Sequence, residues 1–484
     1  MNTMVQTEEI IQVLRQFNPW WSSEPIADLP DWQRPAFRDI LEWLESQELN
    51  RSLLLTGPRQ VGKTTLYRQA IQHLLRNNVP PQNIFYATFD HPLLKLAGQD
   101  RVLQIWREYV PPQNTDNYLE YIFLDEFQYL PDWTTWLKHQ TDFNKNRRIA
   151  VTGSSASLLD QGTESGVGRW LTIRLPTLSF YEYLRLRNED PIDFSSSKVV
   201  SLQNVKDMSE NERHIFAEHT RKLTPFFHQY LIRGGFPECA KIEGIPMVQR
   251  LLREDIIDKI LKRDMTALFG VRQVLQLEQL FLYLCLHDGS IFDFPAVCES
   301  LGVKRATVER YLSYFEATHL LTRLRPFGYG KEVLRGRSKF YLADPAIATA
   351  VFLRGTQPLE DLTRLGIIVE STVFKHLTVE TFRSGRLHFS YWRGKNDHEV
   401  DIVAELGEQQ VPFEIKYRSP DHTFKKDFRG LIDFCKDHKT KRAYIITKSP
   451  DDIGTITVGG TDAIKIPAPL ACYLLGRFEH SFVS

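Results

Sequence analysis

Eight residues constrain this chain more than any others: Gly57-Pro58-Arg59-Gln60-Val61-Gly62-Lys63-Thr64. They follow the apolar run Leu53 to Leu55 and precede a segment with helical spacing, Thr65 to Leu75. Strand, glycine loop and helix in that order form a phosphate-binding loop. Gly57 and Gly62 let the backbone curl so that successive N–H groups point inward. The helix behind adds its free N-terminal N–H groups and the positive end of its dipole. Lys63 can reach the β- and γ-phosphates of a nucleotide such as ATP, the Thr64 hydroxyl can hold Mg²⁺, and Gly57 through Thr65 would line the nucleotide. An ordinary glycine turn is the weaker account of a lysine and threonine at this spacing.

A chain of 484 residues has room for two to four domains, each with its own core. Hydrophobic residues make up 42% and charged residues 25%, as in water-soluble globular proteins. The formal net charge is zero, so contact with a polyanion needs a local basic patch. Five cysteines, Cys239, Cys285, Cys298, Cys435 and Cys472, form no Cys-x-x-Cys pair. That pattern fits a reducing compartment and argues against a zinc ribbon or a disulfide framework. There is no basic region followed by an apolar run at the start, and no apolar stretch of membrane-spanning length. The expectation is a cytoplasmic protein that contacts no membrane, with an oligomer left open.

Around the loop, Trp32 to Leu44 carries helical spacing, and Asn83 to Asp90 reads as a second strand. Tyr121 to Leu124 is a third, ending in Asp125-Glu126. An acid pair at the carboxyl end of a buried strand suits nucleotide chemistry. Asp125 would hold Mg²⁺, and Glu126 would orient and deprotonate the attacking water. Asp125 as a simple turn cap is the alternative. Arg148 to Thr152 is a further strand, leading into Gly153-Ser154-Ser155. Ser154 is the choice for a residue that touches the γ-phosphate or the water. Arg169, in a glycine-rich loop, is either an arginine finger, in cis or from a neighbour, or a solvated loop residue.

The motifs Gly-Pro-Arg-Gln-Val-Gly-Lys-Thr-Thr, Leu-Asp-Glu-Phe-Gln, Thr-Gly-Ser-Ser and Leu-Ser-Phe-Tyr-Glu-Tyr resemble those of AAA-type P-loop ATPases of bacteria and archaea. More narrowly, they resemble one large branch whose members carry a C-terminal domain of unknown function. The polar stretch Asp190 to Glu212 departs from that pattern and reads as an insertion or mobile loop. Gly235-Phe236-Pro237 is similar to a lid element of signalling ATPases. The resemblance implies that Pro237 lies against adenine, whereas a helix cap and stop explain the same residues without a ligand.

Asp293 to Leu301, Gly302 and Val303 to Leu312 read as helix, turn, helix. Leu320 to Leu324 and Lys339 to Leu342 then read as a two-stranded wing. From Val303 to Tyr341 there are nine Lys/Arg against three Glu. Lys304, Arg305 and Arg310 on the second helix, with Lys331, Arg335, Arg337 and Lys339 on the wing, could meet DNA phosphates or line an interdomain face. Beyond lies an α-β-β-β-α-β pattern. It carries Glu370 on its first helix, Asp401 on its second strand and Glu414-Ile415-Lys416 on its third. Residues two apart on a strand share a face, so Glu414 and Lys416 point the same way. Together these resemble PD-(D/E)xK nucleases, with Val-Asp in place of Pro-Asp. The resemblance implies Mg²⁺ or Mn²⁺ on Glu370, Asp401 and Glu414, with Lys416 positioning the attacking water. A non-catalytic binding module of the same fold stays open.

The expectation is therefore an α/β chain in four parts. Residues 1–185 form a P-loop AAA-type ATPase core and 186–265 a helical lid with the polar insertion. Residues 266–345 form a winged helix and 346–484 a restriction-endonuclease-like domain. It would bind and hydrolyse ATP and act on DNA.

Overall fold

The computed structural model describes residues 6–46, 50–111, 113, 119–153, 168–192, 201–328, 336–384, 387–394, 397–418 and 428–477. Two compact units are present. The first comprises residues 1–175 with Ala317–His319, the second residues 176–316 with 320–484. The division falls after Leu175, ten residues before the expected end of the core, and the three later expected segments, Ala317–His319 apart, share one unit.

In the first unit, β1 (Ser52–Thr56), β2 (Ile84–Thr88), β3 (Glu120–Asp125), β4 (Arg147–Gly153) and β5 (Trp170–Arg174) form a sheet in the order β2-β3-β4-β1-β5. All neighbours are parallel. Every residue of β1 is buried, which is why it reads as an uninterrupted apolar run rather than an alternation. Parallel strands place their carboxyl ends on one edge, so Thr56, Thr88, Asp125, Gly153 and Arg174 line the same side. Phe85, Trp106, Ile122, Phe127, Leu137 and Val151 pack together in the core of this unit.

Strand β2 lies at the sheet edge and would present unpaired backbone groups. The N-terminal segment covers them. Asn18 exchanges two hydrogen bonds of 2.8 Å with Tyr86 N and O, and Trp20 and Trp21 donate from their indole nitrogens to Ile84 O. The helix Thr7–Phe17 drives Ile10 and Leu14 into the same core.

In the second unit, β6 (Leu321–Pro326), β7 (Lys339–Leu342), β8 (Leu387–Arg393), β9 (Glu399–Leu406), β10 (Gln409–Lys416), β11 (Ala443–Thr447), β12 (Gly454–Val458) and β13 (Thr461–Pro467) form one sheet. Its order is β12-β13-β11-β10-β9-β8-β6-β7. The helix Leu362–Ser384 precedes the antiparallel run β8-β9-β10, and the helix Arg429–His438 carries the chain to β11, parallel to β10. The expected α-β-β-β-α-β order is present. The hairpin β12–β13 and the helix Ala468–Arg477 extend it.

The helices Phe294–Leu301 and Arg305–Ala317 flank Gly302, which takes φ +63° in the turn. The hairpin β6–β7 follows them. It is no free wing: Arg325 and Pro326 pair with Ser390 and Tyr391, so the hairpin continues the C-terminal sheet. The stretch Asp190 to Glu212 also differs from a mobile loop where it is described. Leu202 and Val205 are buried, Asp190 accepts from Tyr473 Oη at 2.9 Å, and Arg442 donates to Gln203. A capping box at Ser209 and Glu212 then starts the helix Glu210–Arg233. Residues 193–200 lie outside the described residues. Among the described residues no helix is long and apolar enough to cross a membrane.

Candidate functional site

The loop after β1 turns where its sequence permits it. Gly57 has φ +155° and Gly62 φ +95°, while Gln60 sits in the left-handed region at φ +57°. A Cβ on Gly57 would lie 2.1 Å from Leu175 O, so the chain leaving β5 passes too close to the loop for any side chain there. Gly62 caps the helix Lys63–Arg76. From the N-terminal segment, Arg34 donates to Val61 O at 2.9 Å and pins the loop. The Lys63 ammonium is buried and donates to Gly57 O and Pro58 O at 2.9 and 2.7 Å. It therefore lies folded along the loop, within reach of whatever the loop amides hold.

The acid pair sits beside it. Asp125 Oδ2 accepts from Thr64 Oγ1 at 2.6 Å and from Tyr86 Oη at 2.9 Å. Its Oδ1 accepts from Thr152 Oγ1, and the Thr152 oxygen in turn accepts from Glu126 N at 2.9 Å. Glu126 stands at φ +52°, uncommon for a residue with a side chain, and Gln128 Nε2 donates to its Oε2 at 2.5 Å. Burial raises the Glu126 pKa above the ordinary glutamate value. The Lys63 charge opposes that shift, and Asp125 adds to it. Thr64 and Asp125 offer hard oxygens at the end of the phosphate loop, a donor set that fits Mg²⁺.

Thr152, Tyr86 and Gln128 were not anticipated. Thr152 is hidden inside an apolar strand, where a lone threonine reads as filler. Ser154, the expected sensor, lies outside the described residues. Arg169 is a correction: it does not reach the loop of its own chain. Its carbonyl accepts from Ser52 N, at the start of β1, and its guanidinium pairs with Asp142 at 3.0 Å. The loop leaves from the other end of β1, four residues or about 13 Å away at strand rise. The strand end that does meet the loop carries Arg174, in register with Thr56. The His319 imidazole, grouped with this unit, is driven down to about 3 by burial, then by the charges of Arg174 and Lys63.

In the second unit, Pro237 opens the helix Pro237–Lys241. Packing accounts for the glycines before it. Gly234 has φ +80°, and a Cβ on Gly235 would meet Leu178 O at 2.4 Å and Lys375 Nζ at 2.9 Å. Gly235 N donates to Asp344 Oδ2, which also pairs with Lys375 at 3.0 Å.

The C-terminal acids cluster. Lys416 Nζ lies 2.5 Å from Glu414 Oε1 and 3.8 Å from Asp401 Oδ2, and Ile415 N donates to Asp401 Oδ2 at 2.8 Å. Glu370 Oε1 accepts from Tyr341 Oη at 2.7 Å and lies 3.8 Å from Lys339 Nζ. Burial, then the Asp401 charge, raises Glu370 to about 7 and Glu414 to about 8. Burial alone would lower Lys416, but Asp401 and Glu414 outweigh it and the net shift is upward. Glu414 Oε2 is buried with no hydrogen-bond partner among the described residues. These oxygen donors fit a hard divalent cation in kind. However, among the described residues no three acidic, histidine or cysteine side chains are close enough to ligate one ion as they stand, contrary to the expected convergence.

The basic face is also revised. Lys304, Arg305 and Arg310 are exposed, and so is Arg337. Lys331 and Arg335 lie outside the described residues. Lys339 is 4% exposed and forms ion pairs with Glu399 and Glu370, so it faces the acids and not solvent.

Three stretches of the chain match known protein families. Residues 49–184 match the family described as an AAA domain. Residues 224–358 and 365–468 match two domains of unknown function, DUF8612 and DUF4143. An uncharacterised protein of Haemophilus influenzae is 25% identical over 385 residues, 77% of this chain and 84% of that protein. One of Methanocaldococcus jannaschii is 24% identical over 364 residues, 74% of each chain. Among solved structures, a Walker-type ATPase of Pyrococcus abyssi aligns with TM-score 0.38 and 15% identity. That alignment covers 69% of this chain and 99% of the other. The replication initiator DnaA bound to AMPPCP and single-stranded DNA aligns with TM-score 0.26 and 12% identity, covering 61% and 91%. The matched family, the parallel sheet and the loop-and-acid geometry coincide on the same residues, and the stretch 49–184 is similar to AAA domains and carries their phosphate-binding loop.

Proposed function

We propose that the first unit hydrolyses ATP and that the second acts on DNA, with nucleotide state governing that action. One observation carries the first half: Thr64, Asp125, Thr152 and Glu126 are joined by consecutive hydrogen bonds at the end of the phosphate loop. The loop amides and Lys63 hold the β- and γ-phosphates. Thr64 and Asp125 would hold Mg²⁺, which neutralises phosphate charge when bound. Glu126 Oε1 takes a proton from the water that attacks the γ-phosphorus, while Gln128 holds Oε2 and Thr152 fixes the backbone. A carboxylate in a buried setting is a stronger base than one in water, which suits this step. Lys63→Ala removes nucleotide binding in a titration with a fluorescent ATP analogue. Unaltered affinity in that variant would place the nucleotide elsewhere.

The exposed Lys304, Arg305 and Arg310 support contact with DNA phosphates. The Asp401, Glu414 and Lys416 cluster favours a second activity, metal-dependent phosphodiester cleavage. Glu370, Asp401 and Glu414 would hold the cation, and Lys416 would position the attacking water and meet charge on the phosphate. Lys416→Ala then abolishes nicking of duplex, branched or single-stranded DNA and leaves ATP turnover intact. Absence of cleavage by the unaltered protein with Mg²⁺ and with Mn²⁺ would favour the other reading. In that reading the C-terminal domain is a non-catalytic binding module, and the protein is a nucleotide-operated switch or a DNA-binding regulator.

A further inference from the structure

We infer that Lys339 is a tethered cation that keeps the carboxylate cluster closed, and that a divalent cation binds Glu370, Asp401 and Glu414 in exchange for it. This rests on reading that cluster as a cation site, but not on its cutting DNA.

Lysine is seldom buried unless its charge is matched. Lys339 is 4% exposed although it lies on a four-residue strand at the end of the sheet. Its ammonium forms a short ion pair with Glu399 and lies 3.8 Å from Glu370 Oε1. Tyr341, two residues on and therefore on the same face, donates to that same Glu370 oxygen at 2.7 Å. Strand β7 thus delivers one cation and one hydrogen-bond donor to a carboxylate borne by the helix Leu362–Ser384. On the far side of the cluster, Lys416 lies between Glu414 and Asp401.

Four carboxylates, Glu370, Glu399, Asp401 and Glu414, thus face two ammonium groups. The carboxylates outnumber the ammonium groups two to one. Glu414 Oε2, 3% exposed as a residue, is the oxygen for which the described chain supplies no partner. An excess of carboxylates and a bare buried oxygen among oxygen donors describe the place of a hard divalent cation. The Glu370 and Asp401 side chains are 22% and 13% exposed, so an ion from solvent can reach them. The Lys339 ammonium repels such an ion at close range. Its own ion pairs draw Glu399 and Glu370 toward β7.

The test uses the full chain and Mn²⁺ as the probe, read by the electron paramagnetic resonance of free Mn²⁺, by calorimetry and by thermal melting. Lys339→Met and Lys339→Gln are each made alone and with Glu414→Gln. Both Lys339 variants should bind Mn²⁺ at least about 10-fold more tightly than the unaltered protein, a conservative figure for removing one like charge a few ångströms away. Mn²⁺ should raise their melting temperatures more than it raises that of the unaltered chain. The added Glu414→Gln should cancel both gains. If Lys339→Met does not fold alone, its recovery of structure on adding Mn²⁺ supports the exchange. Failure of Mn²⁺ to restore it, with no tighter binding by Lys339→Gln, overturns it. Binding no tighter in either variant, or a gain that survives Glu414→Gln, also overturns the inference and leaves Lys339 as a structural ion pair. Tight Mn²⁺ binding without DNA cleavage upholds the exchange and sinks only the nuclease reading.

Discussion

Thr152→Val removes one hydroxyl and almost no volume, and it isolates what that hydroxyl does. Thr152 is 1% exposed at the carboxyl end of β4, so no solvent replaces the lost oxygen. Two bonds go: the one donated to Asp125 Oδ1 and the one accepted from Glu126 N. The first is charge-assisted and worth about 1.5–3 kcal/mol, the second about 0.5–1.5 kcal/mol. Glu126 N keeps a longer hydrogen bond to Asp125 Oδ1 at 3.2 Å, which recovers part of the second. A net loss of about 2–3 kcal/mol in the positioning of the acid pair corresponds to a fall in kcat of roughly 30- to 150-fold. Thr152 does not belong to the loop that holds the phosphates, so KM for ATP should change less than about threefold. The assay is steady-state phosphate release, with Thr152→Ser as the control that restores the hydroxyl. A Thr152→Val enzyme with unaltered kcat, or a loss confined to KM, would refute the role given to this residue.

Other consequences are equally direct. His376 accepts from Phe180 N at its Nε2 and donates from Nδ1 to Thr372 O, an arrangement that only the neutral ring can make. Burial, then the Lys375 charge, pushes its pKa down to about 3 from the ordinary histidine value of 6.5. The unfolded chain therefore binds one more proton than the folded one between these values. Stability should fall as pH drops below 6.5, by about 1.4 kcal/mol per unit from this group, until about pH 3. Urea titrations across that range should show a slope reduced by one proton in His376→Gln, and an unchanged slope would refute the assignment. Replacing Lys304, Arg305 and Arg310 by alanine should flatten the salt dependence of DNA binding by roughly one unit of slope for each phosphate no longer neutralised. An unchanged slope in fluorescence anisotropy would move these residues off the DNA.

The phosphate loop and the acid pair could be read from the chain because each is local: a few adjacent residues and the strand before them specify the chemistry. The order of acids from Glu370 to Lys416 was readable for a similar reason, since it follows consecutive elements. What escaped depends on distant partners. Strand β5 is five residues long and exists by parallel pairing with β1, more than a hundred residues earlier in the chain. Without that pairing in view, Arg169 reads as a loop residue near the nucleotide, when its place beside Ser52 puts it at the opposite edge. Lys339 reads as a solvated wing lysine, because nothing beside it in the chain shows that Glu370 and Glu399 fold against it. Asn18, Trp20 and Trp21 likewise seal the β2 edge through hydrogen bonds that no periodicity reveals.

The central claim is that the first unit is a working ATPase in which Glu126 activates water, and Glu126→Gln tests it most directly. The substitution keeps size and hydrogen-bonding capacity and removes the base. Equilibrium binding of ATP and multiple-turnover phosphate release should be measured on one preparation of each protein. The account predicts ATP binding within about threefold of the unaltered chain, with turnover reduced on the order of 10²-fold or more. ATP hydrolysis at the unaltered rate by Glu126→Gln would contradict it.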